Sequence, residues 1–571
     1  MKAFLRSFFA SLFALVVVVL IIVGMVGAKS SKKPVIKDNS YLVVDVYGDI
    51  LAYDAPDGVV GQILGGDDET LHRILSGLEK AAADKRIDGV IMKLSSSNSL
   101  GAASSEEIRG AIKKVRQAGK PVYAFGDALD RKTVFLASAC DSIFMPPAGY
   151  MFFTGFGGSA NFIKKTLDKL GIKANLHQIR EYKSAAEMMT RTEYSPEARE
   201  MREWMANEMW DMQIGAISED RKLSGEKLVE LMGHALFTPQ EAKDAGLVDR
   251  LLYWDELEAR LKGEKDERLR TVSQSDYAKI DRSKVGLKGK KKIAVVHAHG
   301  MIGGRKSRVD PLLGAMMGHE TVAAELRRAR MDKDVAAVVF RVESGGGEGL
   351  ASDLISREVQ ATVAVKPVVV SMIDVAASGG YMISYRASKM VADPMTVTGS
   401  IGSISGKLNM AGLYDKLGIT FDDFEKGPNG LMYSDHRDFT DEERARFEDN
   451  HWDGFNEWLY DVSKHRGIPV EEMEKLAMGR VWTGRQAKEN RLIDEVGGLD
   501  KAISVAKELA GIPADEEVTL VHYPKKKGLL ESITSGGVGT AAVRWVLYRF
   551  IHEDLARSLE LLATREDVAV E

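Results

Sequence analysis

The sequence predicts an α/β fold with largely parallel strand pairing, built twice from one duplicated unit. Three observations predict it. Short apolar runs rich in Val and Ile alternate with helical stretches along most of the chain. The same order of segments occurs twice, about 247 residues apart. At 571 residues the chain is also too long for a single core.

The first segment is apolar. From Ser7 to Ala28 there is no charged side chain, and Phe, Leu, Val and Ile dominate. Such a run is long enough to cross a hydrocarbon core of about 30 Å. It exceeds the usual signal-peptide apolar region of about 7–15 residues. We therefore expect a retained transmembrane anchor within residues 1–37 rather than a cleaved leader ending at Val26-Gly27-Ala28. Charges flank both ends (Lys2 and Arg6 before, Lys29, Lys32, Lys33 and Lys37 after), so they do not fix the orientation.

The repeat starts just beyond. Tyr41–Ile50 matches Lys292–Ile302, each a strand entering a glycine turn. Helices opening at Glu69-Thr70 and Glu320-Thr321 lead into the strands Gly89–Leu94 and Ala337–Val342. Asp127 aligns with Asp374, and Leu170-Gly171-Ile172 with Leu417-Gly418-Ile419. Phe237–Asp249 matches Trp482–Asp494. The charged stretch from Lys262 to Lys292 lacks an apolar run and reads as a linker. The expected domains are 38–285 and 286–571.

Comparing the copies locates what only one of them carries. In the second, the β-branched strand Pro367–Ile373 enters Ala376-Ala377-Ser378-Gly379-Gly380-Tyr381, with a helix expected from Tyr381. A serine between small residues at a strand-to-helix turn is how α/β hydrolytic folds expose a nucleophile, and the amide that follows can face an oxyanion. By itself the hexapeptide reads more readily as a glycine-rich turn. The first copy has Arg131 where the second has Ser378. It also has Ser95–Leu100 in place of Glu343-Ser344-Gly345-Gly346-Gly347-Glu348-Gly349. Glycines at that turn suit backbone donation to an oxyanion.

A nucleophilic serine needs a base. His436, His451 and His465 follow Ser378 but lie in charged surroundings that read as solvated. The alternative is a neutral lysine. Lys183, in Arg180-Glu181-Tyr182-Lys183-Ser184-Ala185-Ala186, stands among small residues, and its partner position in the second copy is Gly430. A solvated surface charge is the simpler reading of any one lysine.

These stretches together resemble signal peptide peptidase A, a family of membrane serine proteases with the ClpP/crotonase-like fold. The resemblance rests on Ala376–Tyr381, Thr398-Gly399-Ser400-Ile401-Gly402 and Glu181–Ala185, and it extends over nearly the whole chain, as in the long tandem form. It implies Ser378 as nucleophile and Lys183 as general base. Ser400 would orient the lysine, and the amides of Gly379 and of Gly346 or Gly347 would form the oxyanion hole. Where the family often has Ser-Pro-Gly-Gly, this chain has Ser344-Gly345-Gly346-Gly347, a looser turn. The resemblance further implies cleavage of remnant signal peptides, a homotetramer, and a single-pass inner-membrane protein with its catalytic body on the periplasmic side. No cofactor or metal is expected.

Two other classes share parts of this pattern. A crotonase-type acyl-CoA enzyme would have the fold and oxyanion hole without a Ser–Lys pair; a non-catalytic membrane scaffold would need neither. Composition narrows the remainder: a net charge of −5 gives no footing for nucleic acid, and the single cysteine, Cys140, excludes an internal disulfide. Apolar residues at helical spacing from Ala541 to Leu562 suggest a packing or subunit-contact helix.

Overall fold

Strand for strand, the halves repeat one another. The computed structural model describes residues 34–53, 69–263, 267–310 and 314–525. The apolar segment Ser7–Ala28 and the stretch Ala541–Leu562 lie outside these residues. Among the described residues, no helix is long and apolar enough to cross a membrane.

The first half holds a six-stranded, all-parallel sheet in the order Thr271–Ser273, Ser40–Gly48, Ile87–Asn98, Val122–Gly126, Ser142–Met145, Arg250–Leu251. The second half repeats it with Val518–Tyr523, Lys291–His299, Val335–Ser344, Val368–Ala377, Lys389–Ala392 and Glu495–Val496, again parallel. Helices fill the crossovers, as parallel pairing requires. Leu71–Ala83 and His319–Met331 correspond, as do the 26-residue helices Pro196–Arg221 and Asp441–Arg466. The strands are near-continuous apolar runs because both faces are covered: Val338, Val339, Phe340, Val368, Val369 and Val370 are all fully buried.

The supposed linker is largely folded. Within Lys262–Lys292, Thr271–Ser273 forms the edge strand beside Ser40–Gly48, and Gln274–Ala278 is helical. Tyr277 is fully buried, its hydroxyl donating to Asp84 at 3.0 Å. Charge conceals this segment: Lys279, Lys284 and Lys288 are exposed, while Val272, Gln274 and Tyr277 are buried.

The halves interlock. Lys173–Gln178 of the first pairs antiparallel with Ile404–Asn409 of the second. The core of the first half takes in Ile373 and Met395, and that of the second takes in Ile179. Burying Ile179 contributes about 1.5–3 kcal/mol, at a point four residues before Lys183. Arg341 and Glu107 form an ion pair across the junction, with almost no exposed side-chain surface on either partner.

Candidate active site

Ser378 stands where the buried strand Val368–Ala377 ends. Its backbone takes φ 56° and ψ −118°, a conformation that costs a non-glycine residue about 1–3 kcal/mol. The surroundings hold it there: Ser378 N–H donates to Gly399 O at 2.9 Å, and Met382 N–H donates to Ser378 O at 2.9 Å. The helix begins at Gly379 and lasts a single turn, to Met382, rather than starting at Tyr381 and running on. Tyr381 is sunk in the core with its hydroxyl on Leu492 O, and Ser384 bonds back to Gly380 O. The chain then turns into the strand Lys389–Ala392.

The glycines around the serine are there because nothing larger fits. A Cβ on Gly346 would lie 2.6 Å from Gly379 N and 2.8 Å from Ser378 Cβ; one on Gly380 would lie 2.3 Å from Ser344 O. Gly346 also has φ +102°. Its N–H is engaged, donating to Ser344 Oγ at 3.2 Å. Ile302 N–H donates to Gly346 O, and Glu348 N–H donates to Ile302 O, so Gly347 turns its own N–H away from Ile302. Among the described residues, the N–H groups of Gly347 and Gly379 have no acceptor.

Lys183 reaches this turn from the other half. Its Nζ lies 2.9 Å from Ser378 Oγ and 2.8 Å from both Ser400 Oγ and Ser400 O. Three contacts suit a neutral amine, whose two N–H groups can donate to the Ser400 oxygens while its lone pair faces the Ser378 hydroxyl. Lys183 is buried, and that burial alone pushes its pKa down to about 7. Such an amine can accept the serine proton near neutral pH.

Two glycines complete the lysine's cradle: Gly402, which ends the Thr398–Gly402 motif, and Gly479, which belongs to none. Gly479, with φ +78°, lies so close beneath it that a Cβ would fall 2.4 Å from Lys183 N; one on Gly402 would fall 3.2 Å from Lys183 Cδ. Sequence reasoning missed Gly479, which reads only as the end of the helix Val470–Ala477. The one available signal was Gly479 preceding the second copy's final repeated motif.

The histidines are engaged elsewhere and are less solvated than the sequence suggests. His436 contacts Asp423 at 2.8 Å, His451 contacts His177 at 2.9 Å and Ser403 at 2.7 Å, and His465 contacts Asp461 O at 2.9 Å. None bonds to Ser378. Among the described residues, no group of three or more His, Cys, Asp or Glu side chains is arranged to hold a metal ion.

Comparison with known proteins identifies the family. The profile of peptidase family S49 matches twice, at residues 114–268 and 360–513. The chain belongs to peptidase family S49. Each half carries one match, and the family is present in its long tandem form. The serine protease SPPA of Arabidopsis thaliana chloroplasts is 33% identical over 83% of this chain and 70% of its own length. Protease 4 of Salmonella typhi is 30% identical over 87% of this chain and 82% of its own. A solved mutant of the 1510-N membrane-bound stomatin-specific protease is 12% identical, covers 41% of this chain and 99% of its own, and has a TM-score of 0.26. As a member of S49, the chain is a serine peptidase. The first match includes Lys183, and the second includes Ser378 and Ser400.

Proposed function

We propose that this S49 peptidase cleaves short apolar peptides, remnant signal peptides above all, through Ser378 with neutral Lys183 as the general base. One observation carries the reading: a buried lysine nitrogen 2.9 Å from the hydroxyl of a strained serine at a strand-to-helix turn. Lys183 takes the Ser378 proton as Oγ attacks the peptide carbonyl. It returns that proton to the leaving amine, then activates the water that releases the acyl group. Ser400 orients the lysine. The developing oxyanion is bound by the amide of Gly379 and, on the other wall, by that of Gly347 rather than Gly346, whose N–H is already engaged by Ser344. Gly346 serves instead to let the two walls approach.

In this reading residues 38–285 form the lysine-bearing domain and residues 286–571 the serine-bearing domain, each a ClpP/crotonase-like unit. Residues 1–37 anchor the chain in the inner membrane with its body on the periplasmic side, where released signal peptides are met. A homotetramer would keep folded proteins from the site. The length of the Ser7–Ala28 run and the family resemblance support the anchor.

The test combines a fluorophosphonate probe with peptide cleavage. Mass spectrometry should find the label on Ser378 alone, and Ser378→Ala should lose both label and cleavage of a synthetic signal peptide. A Ser378→Ala chain that still cleaves would refute the assignment. For topology, protease added to spheroplasts should remove the body, whereas a fully protected body would place it in the cytoplasm.

A further inference from the structure

Lys183 belongs to one half and its partners to the other, so the two backbones must be held in register to about half an ångström for the pair to work. The short stretch 478–482 does much of this. Tyr182 N–H donates to Met478 O at 3.1 Å, Gly479 supports Lys183 from below, and Ser400 N–H donates to Arg480 O at 2.8 Å. The backbone of Arg480 thus holds the residue that contacts the lysine.

Its side chain runs to the other half. The guanidinium carbon lies 4.3 Å from the Trp204 ring centroid, 4.9 Å from that of Tyr182 and 5.1 Å from that of Trp482. Trp204 and Trp482 meet edge to face at 5.1 Å. Arg480 Nη2 lies 3.2 Å from Glu200 Oε1, and Glu200 Oε2 accepts the Tyr182 hydroxyl at 2.9 Å. Arg480 Nε is buried with no acceptor among the described residues, as befits a cation held by ring faces. Trp482 in turn packs beneath Gly399, where a Cβ would fall 2.8 Å from its Cδ1. Tyr182, Glu200 and Trp204 come from the first half, Arg480 and Trp482 from the second.

We propose that Arg480 is a positioning residue for the reaction: gripped by Tyr182, Trp204 and Trp482, it locks the Lys183 loop against Ser400 and keeps water from the lysine. The inference rests on the Ser378–Lys183 reading above. The mechanism is dehydration. Among the described residues, burial is what lowers the Lys183 pKa. The carboxylates facing the clasp are Glu200, on Arg480, and Glu197, near Tyr182. Releasing the clasp lets water solvate the ammonium and draws its pKa back toward the ordinary 10.5.

The test follows fluorophosphonate labelling of Ser378 in the full chain from pH 5 to 10, for wild type, Arg480→Met, Trp204→Leu and Lys183→Arg. The midpoint should rise by about one pH unit in Arg480→Met, so that labelling is about ten-fold slower at pH 6 yet near the wild-type rate at pH 9.5. Trp204→Leu should shift the same way by less, and it decides alone if Arg480→Met fails to fold. A rate lowered equally at every pH, or not at all, overturns the positioning role. Lys183→Arg separates the two levels. If labelling persists there, the Ser–Lys reading itself is wrong; if it is lost there while the other variants keep the wild-type midpoint, only the role of Arg480 falls.

Discussion

The two halves make the same turn after the same strand and furnish it in opposite ways. In the first, Asp130 caps the helix Arg131–Ala137, accepting from Thr133 N–H at 2.7 Å while Thr133 Oγ1 answers Asp130 N–H at 2.6 Å. Arg131 stacks over Phe156 and bonds Gln213. Lys132 sends its ammonium to Asn98 O at 2.7 Å and Leu100 O at 3.3 Å, onto the loop that takes the place of the glycine turn. The side chains of Asp130, Arg131, Lys132 and Thr133 each have a partner there. In the second half the serine is strained and makes no cap, two glycines replace the filling side chains, and two amides are left open. The comparison teaches that reactivity lies where local satisfaction is forgone. The relaxed copy has kept the fold and given its lysine, Lys183, to the strained one.

Four changes would break or sharpen this contrast. The largest effect we expect is from Gly479→Ala. Its Cβ would strike the Lys183 backbone at a position that also has φ +78°, and displacing the lysine by about 1 Å should cost roughly 10²-fold in peptide cleavage. Steady-state kinetics at pH 8 would show it as a fall in kcat.

Next comes pH. In the proposed mechanism Lys183 acts as base only when neutral, and its pKa is pushed down to about 7 by burial. Labelling of Ser378 should therefore fall about ten-fold per pH unit below 7 and level off above 8. The stability linkage has the matching sign. Between about 7 and 10.5 the unfolded chain holds a proton that the folded chain lacks, so this group adds stability as pH rises through that window. The ammonium is buried at a cost below it.

A smaller effect is expected at the junction. Asp374 Oδ1 accepts from Ala103 N–H at 2.9 Å and Ser104 N–H at 3.0 Å, so the second half caps a helix of the first. Asp374→Ala should destabilise the chain by about 1–2 kcal/mol, read as a lower urea midpoint for the first half. Smallest of all is the attempt to repair the quiet half. Arg131→Ser with Lys132→Gly should add no second labelled serine, because the position matching Lys183 is Gly430, in an exposed turn. A second label there would show that the turn alone suffices.

Much of this was legible in the sequence because duplication acts as an internal control. It exposed Ser378 against Arg131, and the strands, with their Val-rich runs, followed directly. Pairing Ser378 with Lys183, 195 residues away, came from the family resemblance and not from the residues alone. Other features were hidden for physical reasons. The strand Lys173–Gln178 has no β-branched residue and pairs with a glycine-containing strand of the other half, so neither reads as a strand by itself. The edge strand Thr271–Ser273 is masked by surrounding charge. Gly479 and Arg480 touch the first half across the junction, which no periodicity records.

If the proposed mechanism holds, the base for Ser378 comes from the other half. The most direct measurement is fluorophosphonate labelling of Ser378 in full-length Lys183→Arg, whose guanidinium keeps the charge but cannot be deprotonated. Labelling should stay at background from pH 5 to 10 while the wild type rises through about 7. A Lys183→Arg chain labelled at near the wild-type rate would put the base in the serine's own half and contradict the account.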